Sequence, residues 1–268
     1  MAGDRKRNDE RDRRRAELME LVFADGSVKI DILPERLGVS LMTIHRDIDA
    51  LVTQGMVRKT RGVVTALSSA ANEASSEYRL RKMSAEKRAV AEAAMAFLEP
   101  GQSIILDDST TGVPFAERLG EFAPLTVVTN YQVVMDIIRT EPNIELIALG
   151  GRYYSWCSAY MGDLTVQALA RLRVDSCFMS TSAIIDDVCY HQHQDTVAVK
   201  RAIYEAASRR ILYVDHSKFT ARALHALLPV SAFDVVIVDS ETPKEDQRRL
   251  RMKGVELVVA PPVPPASR

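Results

Sequence analysis

Apolar and polar positions change their rhythm about a quarter of the way along this chain of 268 residues. Before residue 66 the apolar side chains recur at helical spacing. Leu18, Leu21 and Val22 form one stripe, Ile32, Leu33 and Leu37 a second, and Ile44, Ile48 and Leu51 a third. Strand signal in this part is confined to the stretch around Met56 to Val64. Further on, β-branched runs (SIIL, TVVT, ELIALG, RILYVD, DVVIVD, ELVVA) alternate with helical stretches such as KRAVAEAAMAFL and VAVKRAIYEAASRR. That alternation predicts an α/β fold with a mostly parallel sheet covered on both faces. Between the two regimes lies ALSSAANEASS, residues 66–76, small and polar with no apolar period, as a flexible connection is. The expected organisation is a helical head at 1–66, a linker at 67–83, an α/β domain at 84–260 and a loose tail at 261–268, where the prolines of PPVPPASR cannot join a sheet.

Composition narrows the class. An apolar content of 47% supports a real core. The longest apolar runs, such as VVIV at 235–238, are far shorter than the roughly 20 residues of a membrane helix, so no membrane partner is expected. The beginning, MAGDRKRNDERDRRR, is charged from residue 4 with no apolar stretch behind it, which points away from a secretory signal and toward the cytoplasm. Cys157, Cys177 and Cys189 show no CxxC spacing and read as reduced thiols, with neither a disulfide framework nor a zinc knuckle; no metal and no cofactor is expected. The net charge is −1, yet residues 1–67 hold 13 Lys/Arg against 11 Asp/Glu, leaving 22 against 25 in the remainder. The small basic surplus of the head is a weak pointer to nucleic acid.

Residues 32–55, ILPERLGVSLMTIHRDIDALVTQG, carry that pointer further. One helix ends at Gly38, which accepts the left-handed conformation a helix stop needs, and Ser40 then caps a second. The face of the second helix opposite its apolar stripe carries Met42, Thr43, His45, Arg46 and Asp49, near the helix start where recognition helices meet base edges. Arg46 can fork onto a guanine, and Met42 and Thr43 can touch a thymine methyl. In GMVRKTRGVV, Arg58, Lys59 and Arg61 suit a hairpin wing on phosphates. A helix-turn-helix outline also fits protein-binding winged helices. Here the pattern VS.MTIHRDID.L...G.V resembles, nearly residue for residue, the signature of the DeoR family of bacterial regulators, with His45 where the family usually has Arg. The resemblance implies a winged helix-turn-helix that contacts double-stranded operator DNA through Ser40, Met42, Thr43, His45, Arg46, Arg58, Lys59 and Arg61. His45 keeps a donor but lacks a permanent charge.

The resemblance continues to about residue 240 and implies a second domain similar to ribose-phosphate isomerases that binds a sugar or phosphosugar effector. The residues support a ligand site independently, because open parallel sheets gather ligands at the carboxyl ends of their strands. SIIL is followed by DDSTTG with Pro114 just beyond, TVVT by Asn130, ELIAL by Gly150 and Gly151, CFM by Ser180, Thr181 and Ser182, and ILYV by Asp215, His216, Ser217 and Lys218. Ser109, Thr110, Thr111 and the amides after them suit a phosphate at a helix start. The family pattern there is close to LDSGTTT; this chain has Asp108 for Ser and Ser109 for Gly. Asp108 sets a negative charge near the expected anion, a repulsion of roughly 3 kcal/mol for unit charges about 5 Å apart at an effective dielectric of 20. Three readings are open. Asp108 caps backbone amides and points away; it binds sugar hydroxyls while Asp107 stays structural and cations neutralise both; or the effector is an uncharged sugar or polyol. Asn130 in VTN, Gly162 in YMGD, Lys200 in AVKRA and Lys218 in VDHSKF match family positions. The candidate effector set is Asp107, Asp108, Ser109, Thr110, Thr111, Thr129, Asn130, Gly150, Gly151, Arg152, Lys200, Asp215 and Lys218.

Two features are less typical. Arg152, Tyr153, Tyr154 and Trp156 make an aromatic and cationic cluster that suits a sugar ring or a subunit interface. In CYHQHQD, residues 189–195, Cys189, His191, His193 and Asp195 alternate as metal ligands can, though such spacing is common by chance. The leading expectation is a homo-oligomeric (dimeric or tetrameric) repressor of a carbohydrate operon. Its rivals are a sugar-phosphate isomerase with a DNA-binding head, using Asp107, Asp215 and Lys218 in proton transfer, and a DNA-bound scaffold with an inert second domain.

Overall fold

The structure is a computed structural model that describes residues 11, 14–15, 17–19, 21–22, 25–53, 57–66 and 76–262. The chain divides into two compact units, Met1–Arg79 and Leu80–Arg268. In the first, helical residues between Arg11 and Asp25 lead into strand β1 (Ser27–Lys29), a 3-10 turn (Ile30–Ile32) and the helices Leu33–Leu37 and Leu41–Thr53. Strands β2 (Val57–Thr60) and β3 (Val63–Ala66) follow, and the antiparallel sheet has the order β1-β3-β2. Leu18, Val22, Leu33, Ile44, Ile48, Leu51 and Val64 close one apolar core, as the helical spacing predicts. Leu21 is only partly buried against it. The turn between the two helices forms as the sequence implies. Gly38 sits at φ 65°, and the Ser40 hydroxyl accepts from the Thr43 amide at 3.2 Å. Ser40→Ala is expected to cost about 1 kcal/mol, read as a lower thermal unfolding midpoint of the head.

Two expectations for the head are corrected. Strand β1 is additional; with three residues it is too short to show alternation, and only pairing with β3 makes it a strand. Ile32 is 39% exposed because it falls in the 3-10 turn, where the helical spacing that would bury it does not apply. Two arginines of the charge run at the start of the head are engaged as well. Arg14 and Arg15 donate to the two oxygens of buried Asp47 at 2.7 and 2.8 Å, which lets a carboxylate occupy the inner face of the second helix.

The second unit is built on seven parallel strands. In chain order its strands are β4 (Ser103–Leu106), β5 (Leu125–Thr129), β6 (Ile144–Ala148), β7 (Arg152–Tyr154), β8 (Ala159–Met161) and β9 (Val174–Met179). They continue with β10 (Ala183–Ile185), β11 (Val188–His191), β12 (Ala207–Val214), β13 (His225–Pro229), β14 (Val235–Asp239) and β15 (Glu256–Ala260). The main sheet has the order β15-β14-β12-β9-β4-β5-β6; β7-β8 and β10-β11-β13 form small antiparallel additions. From β4 the chain builds outward through β5 and β6, then crosses to β9 and builds the other way. The order therefore reverses between β4 and β9, and the loops after these two strands meet at a crevice of the kind where open sheets place ligands.

Some boundaries move. The helical stretch expected to run to Arg210 stops at Ala206, since Ala207 and Arg209 pair with Val174 and Ser176 of β9 and the Arg210 amide donates to Asp234 at 2.8 Å. Sheet pairing overrides the helix propensity of that segment. The helix Ser84–Ala94 is followed by a 3-10 turn, Met95–Phe97, in place of a single helix through Leu98. The helix Ser76–Arg81 lies in the stretch expected as linker; residues 67–75 and 263–268 of the expected linker and tail are outside the described residues. None of the three cysteines is in a disulfide and all are buried, and burial pushes the Cys177 and Cys189 thiols up to about 12, so these two stay protonated and unreactive. Among the described residues no helix is long and apolar enough to cross a membrane.

Candidate functional site

On the helix Leu41–Thr53, Met42 is 65% exposed, Arg46 is exposed, and Thr43 and His45 are half-buried beside them. Ser40 is occupied by its cap. The wing strand is tied to this helix: the Lys59 ammonium reaches His45 Nδ1 and Asp49 Oδ1, each at 3.0 Å. An ammonium has no lone pair to offer, so Nδ1 must accept and the His45 proton sits on Nε2. An Arg at position 45 could not accept from Lys59, so His45 makes possible a helix-to-wing link that the family's usual residue does not. Arg58 and Arg61 remain exposed on the wing, Arg61 at its tip with φ 47°.

In the second unit the paired aspartates after β4 meet a lysine. Lys200, fully buried on the helix Gln194–Ala206, lies 2.5 Å from Asp107 Oδ2 and 3.1 Å from Asp108 Oδ1. Asp107 also accepts from the Ser109 amide at 3.0 Å and the Ser180 amide at 2.8 Å. It thereby stitches the loop after β4 to the loop after β9 across the reversal point. Burial alone would lower the Lys200 ammonium, but Asp107 and Asp108 outweigh it and hold the group above the ordinary lysine range. The two adjacent negative charges of the sequence thus face a cation supplied by the chain itself.

Other candidates take more specific places. Ser109 is extended at φ −84° and ψ 139°, a conformation open to any residue, which explains how Ser stands where the family pattern has Gly. The expected helix start is only a 3-10 turn, Thr110–Gly112, before the four-residue helix Val113–Ala116 with Pro114 inside its first turn; this corrects the expectation of a full helix N-terminus. Thr129 Oγ1 accepts from the Tyr131 amide at 3.1 Å, and Asn130 Nδ2 donates to the Tyr160 carbonyl at 2.9 Å. Among the described residues, Asn130 Oδ1 and Asp215 Oδ2 are buried with no hydrogen-bond partner. Asp215 Oδ1 takes the Ser217 amide at 3.0 Å and the Ser217 hydroxyl, while Oδ2 lies 3.7 Å from Lys218 Nζ. Burial raises the Asp215 carboxyl, and Lys218, Ser217 and Lys87 overcome that and keep it below the usual carboxylate range. Gly151 is packed against Met161 and Thr165, and Arg152 lies over the Tyr154 ring at 5.3 Å; neither is brought to the Lys200 cluster by a contact of these kinds.

Three residues escaped the sequence reading. Lys87 is buried and donates to Thr110 Oγ1 at 2.9 Å. Its signal was available, since it shares a helix face with Val90, Ala91 and Ala94, an unusual place for a lysine. Lys82 is held below the ordinary lysine range by desolvation first and Lys218 second, with Asp215 acting the other way. Tyr213, fully buried, takes the Ser109 hydroxyl at 3.4 Å; no local pattern sets it apart from the other apolar residues of β12.

The aromatic cluster and the CYHQHQD segment, read separately in sequence, come together. Tyr154, Trp156, Met161, His193, Gln194, Asp195 and Thr196 line a cleft of about 190 Å³. The Trp156 and His193 rings are 4.6 Å apart, and the Tyr154 hydroxyl donates to Asp195 Oδ2 at 2.6 Å, which raises the phenol above its ordinary range. Cys189 and His191 are buried behind, on β11. Among the described residues no group of three or more His, Cys, Asp or Glu could hold a metal ion.

A helix-turn-helix head with an exposed Arg46 and a separate ligand-type crevice define a transcription regulator with a sensor domain. Comparison with known proteins agrees. The DeoR C terminal sensor domain model matches residues 82–240 and the DeoR-like helix-turn-helix domain model residues 14–70. An uncharacterized HTH-type transcriptional regulator, YgbI, of Escherichia coli K12 is 33% identical over 247 residues, 92% of this chain and 97% of that protein. A putative aga operon transcriptional repressor of Escherichia coli O157:H7 is 28% identical over 92% of this chain and 93% of its own length. The glycerol-3-phosphate regulon repressor of Escherichia coli K12 is 29% identical, covering 84% and 90%. Among solved structures, a ribose-5-phosphate isomerase in complex with phospho-erythronic acid aligns at 16% identity over 50% of this chain and 52% of that one, with a TM-score of 0.37. The chain belongs to the DeoR family of transcription regulators. Asp107, one of the three residues of the rival isomerase reading, is held by Lys200 and two backbone amides.

Proposed function

We propose that this protein is a cytoplasmic, homo-oligomeric repressor of a carbohydrate operon, released from double-stranded DNA by a phosphorylated sugar or polyol. The observation that carries the anionic effector is Lys218, at the carboxyl end of β12 and 3.7 Å from Asp215 Oδ2, together with Lys82, which desolvation first and the Lys218 charge second hold below the ordinary lysine range. An anion between them would relieve that repulsion. The charge count agrees: Lys82, Lys87, Lys200 and Lys218 face Asp107, Asp108 and Asp215, leaving one positive charge in excess. Asn130 Oδ1, buried without a hydrogen bond, and Asp215 Oδ2, which has no hydrogen bond but the Lys218 ammonium at 3.7 Å, offer places for sugar hydroxyls. In this reading Asp108, Ser109, Thr110, Thr111, Asn130, Asp215, Lys218, Lys82 and Lys87 contact effector, while Asp107, Lys200, Thr129, Gly150 and Gly151 hold the frame and Arg152 lies over the Tyr154 ring beside the aromatic cleft. Relatives named for the aga operon and the glycerol-3-phosphate regulon support the substrate class.

Two experiments test the proposal. In thermal-shift titrations with paired free and phosphorylated sugars, only phosphorylated members are expected to stabilise, by about 2.7 kcal/mol at a hundred times the dissociation constant. Stabilisation by free sugars alone would exclude a phosphate-binding role for Lys82 and Lys218. On DNA, Met42, Thr43, His45 and Arg46 read base edges, with Arg58 and Arg61 on phosphates. Arg46→Ala is expected to weaken binding to the protein's own upstream DNA by about 1–3 kcal/mol in a mobility-shift titration and to relax sequence preference. Full sequence-specific binding by that variant would remove the assignment.

A further inference from the structure

Tyr154 and Asp195 stand 41 positions apart in sequence and meet through one hydrogen bond at the mouth of the cleft that Trp156 and His193 wall. Its volume of about 190 Å³ is room for roughly six water molecules at about 30 Å³ each. That is below the roughly 300–1,000 Å³ of sites for drug-sized ligands, so an occupant is no larger than a single small ring or short chain. The chemistry of the walls is specific. Trp156 is half-buried and offers an aromatic surface against which the C–H face of a sugar can pack. Asp195, exposed at the mouth, has about four acceptor positions, of which the Tyr154 hydroxyl occupies one; those remaining suit neighbouring hydroxyls. Its negative charge disfavours an anion, and Arg152 over the Tyr154 ring disfavours a cation. The cleft is also joined to the effector crevice by one helix. Thr196, on the cleft wall, and Lys200, on Asp107 and Asp108, are one turn apart on the same face, about 6 Å along the axis.

From these observations we infer that the cleft of Tyr154, Trp156, Met161, His193 and Asp195 is a recognition site for the uncharged, hydroxylated ring or chain of a sugar. It discriminates between carbohydrates by where their hydroxyls fall against Asp195. The inference rests on the sugar-sensing reading above and adds the residues that select the sugar.

Trp156 is the single tryptophan of the chain, so its emission reports this cleft directly. The experiment titrates full-length protein with galactose, ribose, L-fucose and glycerol and with their terminal phosphates, following Trp156 emission and thermal unfolding in parallel. At least one sugar is expected to change the emission saturably. Asp195→Asn and Tyr154→Phe, which both keep the reporter, are each expected to raise that dissociation constant at least tenfold while binding to upstream DNA without sugar stays unchanged. Stabilisation by a sugar with silent emission and undiminished affinity in both variants would overturn the cleft assignment and leave the sugar-sensing reading standing. No stabilisation and no emission change with any sugar would overturn both. Emission that responds to dilution of the protein and not to sugar would overturn the inference in favour of an interface between copies of the chain.

Discussion

Lys200→Met is expected to lower the stability of the second unit by about 3–5 kcal/mol, because the substitution leaves Asp107 and Asp108 buried without their shared cation. For a unit of this size that corresponds to a fall of about 10 °C in unfolding midpoint. Methionine fills a volume close to that of the lysine stem, so lost packing is a small part of the effect. The dependence on pH separates charge from shape. In the native protein Lys200 is held above the ordinary lysine range, so its contribution is complete at and below neutral pH and fades only in strong alkali. In Lys200→Met the two aspartates are left buried without a compensating cation, which disfavours their charged form. The variant is then penalised at neutral pH, and its deficit is expected to shrink as the pH is lowered from neutral. Adding Asp108→Asn to the variant is expected to restore part of the loss, since the two changes act on one cluster. Thermal unfolding of the native protein and both variants across that pH range provides the check. A deficit that does not vary with pH and is not relieved by Asp108→Asn would mean that Lys200 acts through packing alone.

The second large effect is expected at Gly151, after β6. A Cβ there would lie 2.2 Å from Thr165 Oγ1 and 2.7 Å from the Met161 carbonyl oxygen, on a backbone at φ 149°. Strain of about 1–3 kcal/mol in such a backbone and a comparable cost for overpacking make Gly151→Ala worth about 3 kcal/mol or more. Thr165 cannot simply retreat, because its hydroxyl donates to the Gly150 carbonyl at 2.7 Å. The adjacent Gly150 is the internal control. Nothing lies within 4 Å of its added Cβ and its φ is not positive, so Gly150→Ala is expected to change stability by less than about 1 kcal/mol. Equal unfolding midpoints for the two alanine variants would refute this account. The result also bears on function, since the glycine pair was a candidate for effector contact on its position alone.

How far the sequence could be read depended on the range of the interaction involved. The helix-turn-helix was legible because its determinants are local: Gly38, the Ser40 cap and the spacing of Ile44, Ile48 and Leu51 all act within a few residues. The parallel sheet was legible for a related reason. Strands buried on both faces must be continuous apolar runs, and SIIL, TVVT and VVIV announce themselves. Asp108 was not legible, because its neutralising partner lies on a helix more than ninety residues away, and no local pattern couples position 108 to position 200. The same holds for the aromatic cluster and the segment around Asp195, each ambiguous alone and joined only when β7, β8 and the helix Gln194–Ala206 pack together. Lys87 is the intermediate case, a lysine on a buried helix face that periodicity does single out but whose contact with Thr110 only the fold supplies. Local propensity and burial pattern determined the two units and most of their elements, and they mark the exposed face of the second helix. Long-range packing decided which charges neutralise one another at the carboxyl ends of the strands, because desolvated ion pairs depend on separations of a few ångströms that the order of residues does not encode.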